Sequence, residues 1–598
     1  MIGKDYSSNK QIAVLLRQVA AALEVKGKSL FRIRAYERAA AAIEQAGVEV
    51  KDLLNEGKLT DLAGVGPSIA QYLEELLTTG KVSHFEKIKQ NLPPAGFIFL
   101  TVPGIGPKTA FKLSRQLKIT AAAGALKRLE QAAKKGRIRT IEGFGQKSEK
   151  EILSGLGRTR KTGRQQRMLL SFAWQQAKDL IDYLSVEKAV LRIDALGSLR
   201  RKTATVGDID LAVASKNADR VMNRVRRYPR IKTILAAGPG TTRCLLQSGK
   251  QFDLKIVNPE SYGALLQHYT GSKEHNIRLR EIAKEKGLSL SEYGIKSAGR
   301  LKHFRQEKAF YQALKMAYIP PELRENSGEI EAAIRQFQKT PNGLPKLIKE
   351  TDIKGDLHIH SSFDIEPNHD LGQDQFEIIL QQAKALNYEY IGFSEHNPSL
   401  SRHRQSQIIN LIKTKRQKID ELNYSRGKKL FIKVLNGLEI DIKPDGNLAL
   451  PPAAFDYLDY AIAAIHTNFN MSRKKMTDRV IQGLAHPKVK FLAHPTTRKL
   501  TEREGIKLDW DRLFAFCKKE SKFLEISASP QRLDLPDFLV RQAVENGVKM
   551  IINSDAHAVF QLKLMPYGVA VARRGWAQKN DIINSNSWDQ FRKIFIEN

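Results

Sequence analysis

The sequence predicts a multidomain protein with an all-α beginning, an α+β middle and a final half built as a barrel of alternating strands and helices. Three observations predict this. An apolar-x-Gly-apolar-Gly pattern occurs three times before residue 150, each copy leading into a helical stretch. Two ribbons near residues 210 and 253 alternate apolar side chains with carboxylates, as strands do. Nine of the 13 histidines lie in the last 248 residues, and six of those nine end apolar runs.

Charge narrows the partner. Lys plus Arg number 98 against 64 acidic residues, a net charge of +34. Solubility needs far less, so a polyanion is implied, and nucleic acid is favoured. Membrane surfaces are anionic too, but the chain carries no sign of a membrane anchor. No apolar run approaches the roughly 18 residues of a span, Arg17 interrupts the best one, and no secretory core opens the chain. The two cysteines, Cys244 and Cys517, are far apart, which predicts a reducing cytoplasm and no cysteine-built metal site.

Residues 1–90 read as a small helical domain, with Ile12, Leu15, Leu16, Val19 and Leu23 at helical spacing and basic residues beside aromatics from Phe31 to Tyr36. The repeats are Leu62-x-Gly64-Val65-Gly66, Val102-x-Gly104-Ile105-Gly106 and Ile141-x-Gly143-Phe144-Gly145. Glycines there let two helices join tightly and expose N–H groups to a phosphate oxygen. One copy alone would be an ordinary helix connection. Three, spaced by about 40 residues in so basic a chain, read as helix-hairpin-helix elements that grip DNA backbones without reading sequence. A second helical segment is expected over 91–158.

The next domain centres on Gly197-Ser198-Leu199-Arg200-Arg201 and Asp208-Ile209-Asp210. In the second ribbon Phe252, Leu254 and Ile256 alternate against Gln251, Asp253 and Lys255. If the two strands pair, three carboxylates converge, and such a cluster stays ionised only by holding divalent cations. An Asp-x-Asp pair is common on solvated strands. The Gly-Ser turn with its arginines, suited to a triphosphate, separates this one from them. The combination resembles the palm of family X DNA polymerases, relatives of DNA polymerase beta. That resemblance implies two Mg2+ ions on Asp208, Asp210 and Asp253, and a dNTP held by Gly197, Ser198 and Arg201. It also implies a nucleotide-selecting segment in Tyr269-Thr270-Gly271-Ser272 with Asn276 and Arg280, where a plain helix cap is the alternative. His268-Tyr269 replaces the family's Tyr-Phe pair, and Ala204 stands where relatives often have an acid. In the helix after the first hairpin, Tyr72 stands where the family's Schiff-base lysine does, and a phenol cannot form an imine.

Boundaries follow as a palm over 159–260, a thumb-like subdomain over 261–318, a proline-marked linker over 319–350 and a metal domain over 351–598. In that last half His358 and His360, His396, Glu439, His466, His494, and Asp555 with His557 each follow an apolar run. Ligands at the C-terminal ends of successive buried strands mark a barrel-type active site, and imidazoles mixed with carboxylates suit manganese, zinc or iron. The order resembles the polymerase and histidinol phosphatase (PHP) domain, a distorted (β/α)7 barrel that hydrolyses phosphoesters. The resemblance implies up to three Mn2+ or Zn2+ ions on these eight residues and a ninth ligand. Asp364 and Asp370 are the candidates. Asp370, before a glycine turn and a helix, is favoured.

The expectation is a cytoplasmic, monomeric gap-filling DNA polymerase acting on gapped or nicked DNA with a 5′-phosphate. Its PHP domain would add a 3′→5′ exonuclease, joined in some relatives by abasic-site cleavage. The alternatives are a metal-dependent DNA phosphoesterase whose polymerase module mainly binds DNA, and a non-catalytic DNA-end tether.

Overall fold

The computed structural model describes residues 9–45, 50, 54, 59–61, 65–102, 104–161, 167–238, 240–424 and 432–597. They divide into two units, one of residues 1–195 and 206–259, the other of 196–205 and 260–598.

The first unit opens with helices Asn9–Val25 and Leu30–Gln45, then Pro67–Thr79 and Ser83–Lys89. The apolar stripe Ile12, Leu16 and Val19 packs with Ile69, Leu73, Leu76 and Phe85 in one core. A second helical core gathers Phe97, Phe99, Phe111, Leu113 and Leu129 from helices between Pro94 and Lys161. The palm follows as a five-stranded sheet: β1 Arg192–Ala195, β2 Ile209–Ala214, β3 Ile231–Gly238, β4 Thr241–Leu246 and β5 Gln251–Val257. Its order is β1-β2-β5-β4-β3. The β2–β5 pair is parallel and the others antiparallel.

In the second unit, helices Tyr262–Thr270, Lys273–Glu285 and Glu307–Ala313 pack beside a three-stranded antiparallel sheet, Leu288–Ser291, Gly294–Ser297 and Arg300–Lys302. The segment expected as a linker, 319–350, is packed. Ile319, Leu323, Ile330, Ala332, Ala333 and Leu347 share one buried core with Leu279, Phe310, Tyr311 and Trp576. Helix Glu329–Phe337 turns Ile330 and Ala333 inward at helical spacing, so the prolines punctuate a packed segment and free no hinge.

The remainder is a parallel barrel. Its strands are β6 Gly355–Ile359, β7 Tyr390–Phe393, β8 Lys433–Asn436, β9 Glu439–Asp441, β10 Ala461–Ala464, β11 Val489–Leu492, β12 Phe523–Ser527 and β13 Met550–Asn553. β6 to β8 form one parallel run and β9 to β13 another. Parallel bridges His396↔Glu439 and Ile359↔Ala556 join the runs at both seams. With β8 and β9 taken as one strand interrupted at Gly437-Leu438, this is a seven-stranded barrel. β6, β7, β10, β12 and β13 are buried at every position, which is why each reads as an unbroken apolar run apart from its functional residues. The last helix, Trp588–Phe595, lays Phe591 on Tyr390 and Phe595 against Tyr460, Phe491 and Phe523.

Candidate active sites

In the first unit, β2 and β5 run parallel with Asp210 opposite Asp253. Burial first, then Asp208 and Asp253, push the Asp210 carboxyl up to about 7. Three crowded carboxylates with one driven towards neutrality form an oxygen donor set that fits a divalent cation such as magnesium. On β4, Arg243 lies in register with Asp253 and donates to both its oxygens, Nε at 3.1 and 3.2 Å and Nη2 at 3.0 Å. Nothing in the sequence set Arg243 apart, since only the β4–β5 register brings it to Asp253.

The hairpin glycines divide into two roles. Gly104 and Gly143 take φ of +92° and +81°, where a side chain would be strained. Gly66 and Gly106 cap helices that begin with Pro67 and Pro107, and neither helix has a side-chain cap. A Cβ built on Gly66, Gly106 or Gly145 would meet nothing within 4 Å, so each helix start is open to a phosphate. Gly64 lies outside the described residues. Tyr72 stacks on His84 with ring centroids 4.8 Å apart.

In the second unit the Gly-Ser turn forms the short helix Gly197–Arg200. Arg200 donates to Thr270 Oγ1 and in bidentate fashion to Glu307, which Arg324 also pairs. Burial raises the Glu307 carboxyl, but Arg324 and Arg200 overcome this and bring it down to about 2. Arg201 donates to Glu325 Oε1 at 3.0 Å and to the Thr270 carbonyl at 2.5 Å. Gly271 lies so close that a Cβ would sit 2.9 Å from the Arg201 guanidinium. Ser272 does cap the next helix, accepting from the His275 N–H at 3.2 Å. Asn276 donates to the His268 carbonyl at 2.7 Å, Tyr269 is half-buried and Arg280 is exposed.

At the barrel's ligand end Glu439 is the hub. His358 Nε2 is 3.3 Å, His360 Nε2 3.5 Å and His396 Nδ1 2.8 Å from its Oε2, while His466 Nε2 is 3.4 Å and His494 Nε2 3.0 Å from its Oε1. Asp555 Oδ1 lies 3.6 Å from His358 and 3.7 Å from His360, and His557 stacks on His360 at 4.0 Å. Burial pushes the Glu439 carboxyl up, yet His396, His358 and His466 hold it well below the ordinary range. Ligand atoms come within 4.8 Å of one another in four trios: His360–His396–His557, His358–His360–Asp555, His396–Glu439–His466 and His369–Asp441–His466. Among the described residues, buried atoms without a hydrogen-bond partner include His358 Nε2, both His360 nitrogens, His396 Nδ1, Glu439 Oε2 and His494 Nδ1. Each would cost about 1–3 kcal/mol if left so. Their convergence fits metal ions, and the mixed nitrogen and oxygen donors fit manganese, zinc or iron.

The candidates for the ninth ligand lie on the loop after His360. Asp370 and Asp364 are both exposed, and neither falls in a trio. Gly372 follows Asp370 because its backbone crosses the His360 carbonyl, where a Cβ would sit 2.1 Å from the oxygen. The glycine reports close packing, not the aim of the neighbouring aspartate. On the same loop His369 lies 3.1 Å from Asp441 Oδ2, with Asp441 Oδ1 2.6 Å from His466 Nδ1.

Supporting residues escaped the sequence reading. Glu525, inside β12, accepts from His358 Nδ1 at 2.7 Å, the His494 N–H at 2.6 Å and Asn553 at 2.9 Å. Lys415 occupies the buried face of helix Gln405–Tyr424 between Ile412 and Ile419. It donates to the Phe393 and Gly437 carbonyls and pairs with Glu395, whose other oxygen accepts from Ser361 beside His360. Both had a visible signal, a charge at a position whose neighbours in the pattern are apolar. Arg532 Nε lies 3.5 Å from Asp555 Oδ2, and Lys499 and Arg503 stand near it.

Comparison with known proteins finds four matching domains in the chain. Residues 7–82 match a helix-hairpin-helix domain and 98–158 a SAM-like helix-hairpin-helix tandem. Residues 265–325 match the DNA polymerase beta thumb and 356–529 the PHP domain. The DNA polymerase/3′-5′ exonuclease PolX of Bacillus subtilis (strain 168) is 32% identical over 586 residues, 97% of each chain. The chain belongs to the family X DNA polymerases that carry a C-terminal PHP domain. A probable phosphatase of Thermoanaerobacter sp. (strain X514) is 26% identical over 26% of this chain and 65% of its own. DNA polymerase lambda of Rattus norvegicus is 22% identical over 49% of this chain and 50% of its own. Among the described residues, no helix is long and apolar enough to cross a membrane.

Proposed function

We propose that the protein is a DNA-directed DNA polymerase that fills short gaps, joined in one chain to a 3′→5′ exonuclease seated in the PHP barrel. The parallel register that puts Asp210 opposite Asp253, with Asp208 acting on Asp210, is the observation that carries the polymerase reading. Asp208, Asp210 and Asp253 would hold two Mg2+ ions, and the barrel residues up to three Mn2+ or Zn2+ ions. When bound, such ions neutralise phosphoryl oxygens and make a hydroxyl or water a better nucleophile.

The chain's own groups do the rest. Asp210, buried opposite Asp253, would share the bound cations with Asp208 and Asp253. Gly197, Ser198 and Arg201 face the triphosphate, and Tyr269, Gly271, Asn276 and Arg280 face sugar and base pair. Open helix starts at Gly66, Gly106 and Gly145 take backbone phosphates, the first of them a 5′-phosphate at the gap. In the barrel Glu525 fixes the His358 ring, and Arg532 supplies a cation next to Asp555 for the phosphoester being cut.

A gapped duplex labelled on the primer, with and without dNTPs, in Mg2+ and then Mn2+, tests the reading. Extension with dNTPs and shortening without them are expected. Shortening alone would leave the phosphoesterase reading, and retardation without either product would leave the tether.

A further inference from the structure

Helix Met565–Arg574 belongs to the barrel half, yet its last two residues grip the segment from Glu322 to Ile348, and the second of them also grips the nucleotide-binding turn. Arg573 donates to Glu322 Oε1 and to the Ile348 carbonyl, both at 2.9 Å. Arg574 is 8% exposed. Its Nη1 donates to the backbone carbonyl of Arg201 and to Glu325 Oε1, both at 2.9 Å, and its Nε donates to Asp537 Oδ2 at 2.7 Å. Glu325 Oε1 is the same oxygen that accepts from Arg201 Nε. One carboxylate oxygen therefore serves two guanidinium groups, one from the barrel and one from the turn.

We propose that Arg574, a residue of the nuclease half, is a positioning residue for nucleotide addition. It anchors the carbonyl end of helix Gly197–Arg200 and draws Glu325 partly away from Arg201. Without it, Glu325 would answer to Arg201 alone, and that guanidinium would have to break a stronger pair before meeting a triphosphate. A merely structural tie between the halves needs only Arg573 and the apolar packing around Trp576. The bond to the Arg201 carbonyl and the shared Glu325 oxygen are specific to the turn. The inference rests on the proposed role of Arg201, so the test includes a variant of that residue.

The experiment is single-nucleotide insertion on gapped DNA in Mg2+, with exonuclease activity on a single-stranded oligonucleotide in Mn2+ measured on the same preparations. Arg574→Ala is expected to raise the KM for dNTP about tenfold, the effect of one charged hydrogen bond. Its kcat and its exonuclease rate should stay within about twofold of wild type. Arg574→Lys, which keeps the charge but cannot reach all three acceptors, should raise KM about threefold. Adding Glu325→Gln to Arg574→Ala should recover most of the lost KM, because it removes the competing charge. If Arg574→Ala does not fold, Arg574→Lys decides. Wild-type KM in either folded variant overturns the inference, as does an equal loss of both activities. Wild-type KM in Arg201→Ala would instead overturn the reading of Arg201. A raised KM in Arg201→Ala with none in the Arg574 variants would remove only the present inference.

Discussion

Asp210 stands directly opposite Asp253 in the parallel pairing of β2 with β5, two residues 43 positions apart made neighbours by one crossover. The pair lies in the first unit, whereas all barrel ligands lie in the second. Replacing Asp253 or Asp210 by Ala is therefore expected to abolish primer extension, by a thousandfold or more on the order of a lost two-metal site, while exonuclease activity persists. Loss of both activities in a folded variant would contradict the assignment.

His369 rather than Asp370 meets Asp441 and His466. His369→Ala should lower exonuclease activity and bound manganese, measured by elemental analysis, about ten- to a hundredfold in affinity. Asp370→Ala and Asp364→Ala should keep most of both. A dead Asp370→Ala with intact His369→Ala would reverse the choice.

Glu525 touches His358 and the backbone N–H of His494 at once. Glu525→Gln keeps the shape but loses the negative charge that orients the imidazole. About a ten- to a hundredfold loss of exonuclease activity is expected, with extension unchanged. A wild-type exonuclease rate would show that orientation of His358 comes from elsewhere.

Glu307 is buried between Arg200 and Arg324, which bring its carboxyl to about 2. A carboxyl depressed in the folded state stabilises above its unfolded value and loses that contribution as pH falls through the folded one. Thermal denaturation should therefore show an acid-linked loss between roughly pH 4.5 and 2 that Glu307→Gln lacks. Leaving two buried guanidinium groups with a neutral partner should cost about 3–5 kcal/mol near neutral pH. A variant as stable as wild type would mean the site relaxes around the amide.

Tyr72 is stacked on His84 and has no amine to offer. Borohydride should fail to trap the protein efficiently on a 5′-deoxyribose phosphate end. A strong adduct, mapped by peptide analysis to Lys81 or Lys87, would show that another lysine reaches the sugar.

What could be read from the chain alone was whatever local spacing encodes. His358 and His360 alternate on one strand, Asp208 and Asp210 flank one strand start, and three glycine hairpins repeat a five-residue pattern. Such features survive because side-chain direction in a strand or turn follows from position within a few residues. The apolar runs likewise foretold a barrel, since parallel strands buried on both faces leave no polar alternation. Tertiary structure decided everything that depends on register between distant segments. Arg243 reaches Asp253 only through the β4–β5 ladder, and Glu525 reaches His358 only because β12 and β6 lie in one closed barrel. The contact of His369 with Asp441 is of the same kind. His369 and Asp370 sit on one short loop, and the close passage of Gly372 over the His360 carbonyl fixes that loop. Backbone packing of this kind is announced by no residue's own chemistry.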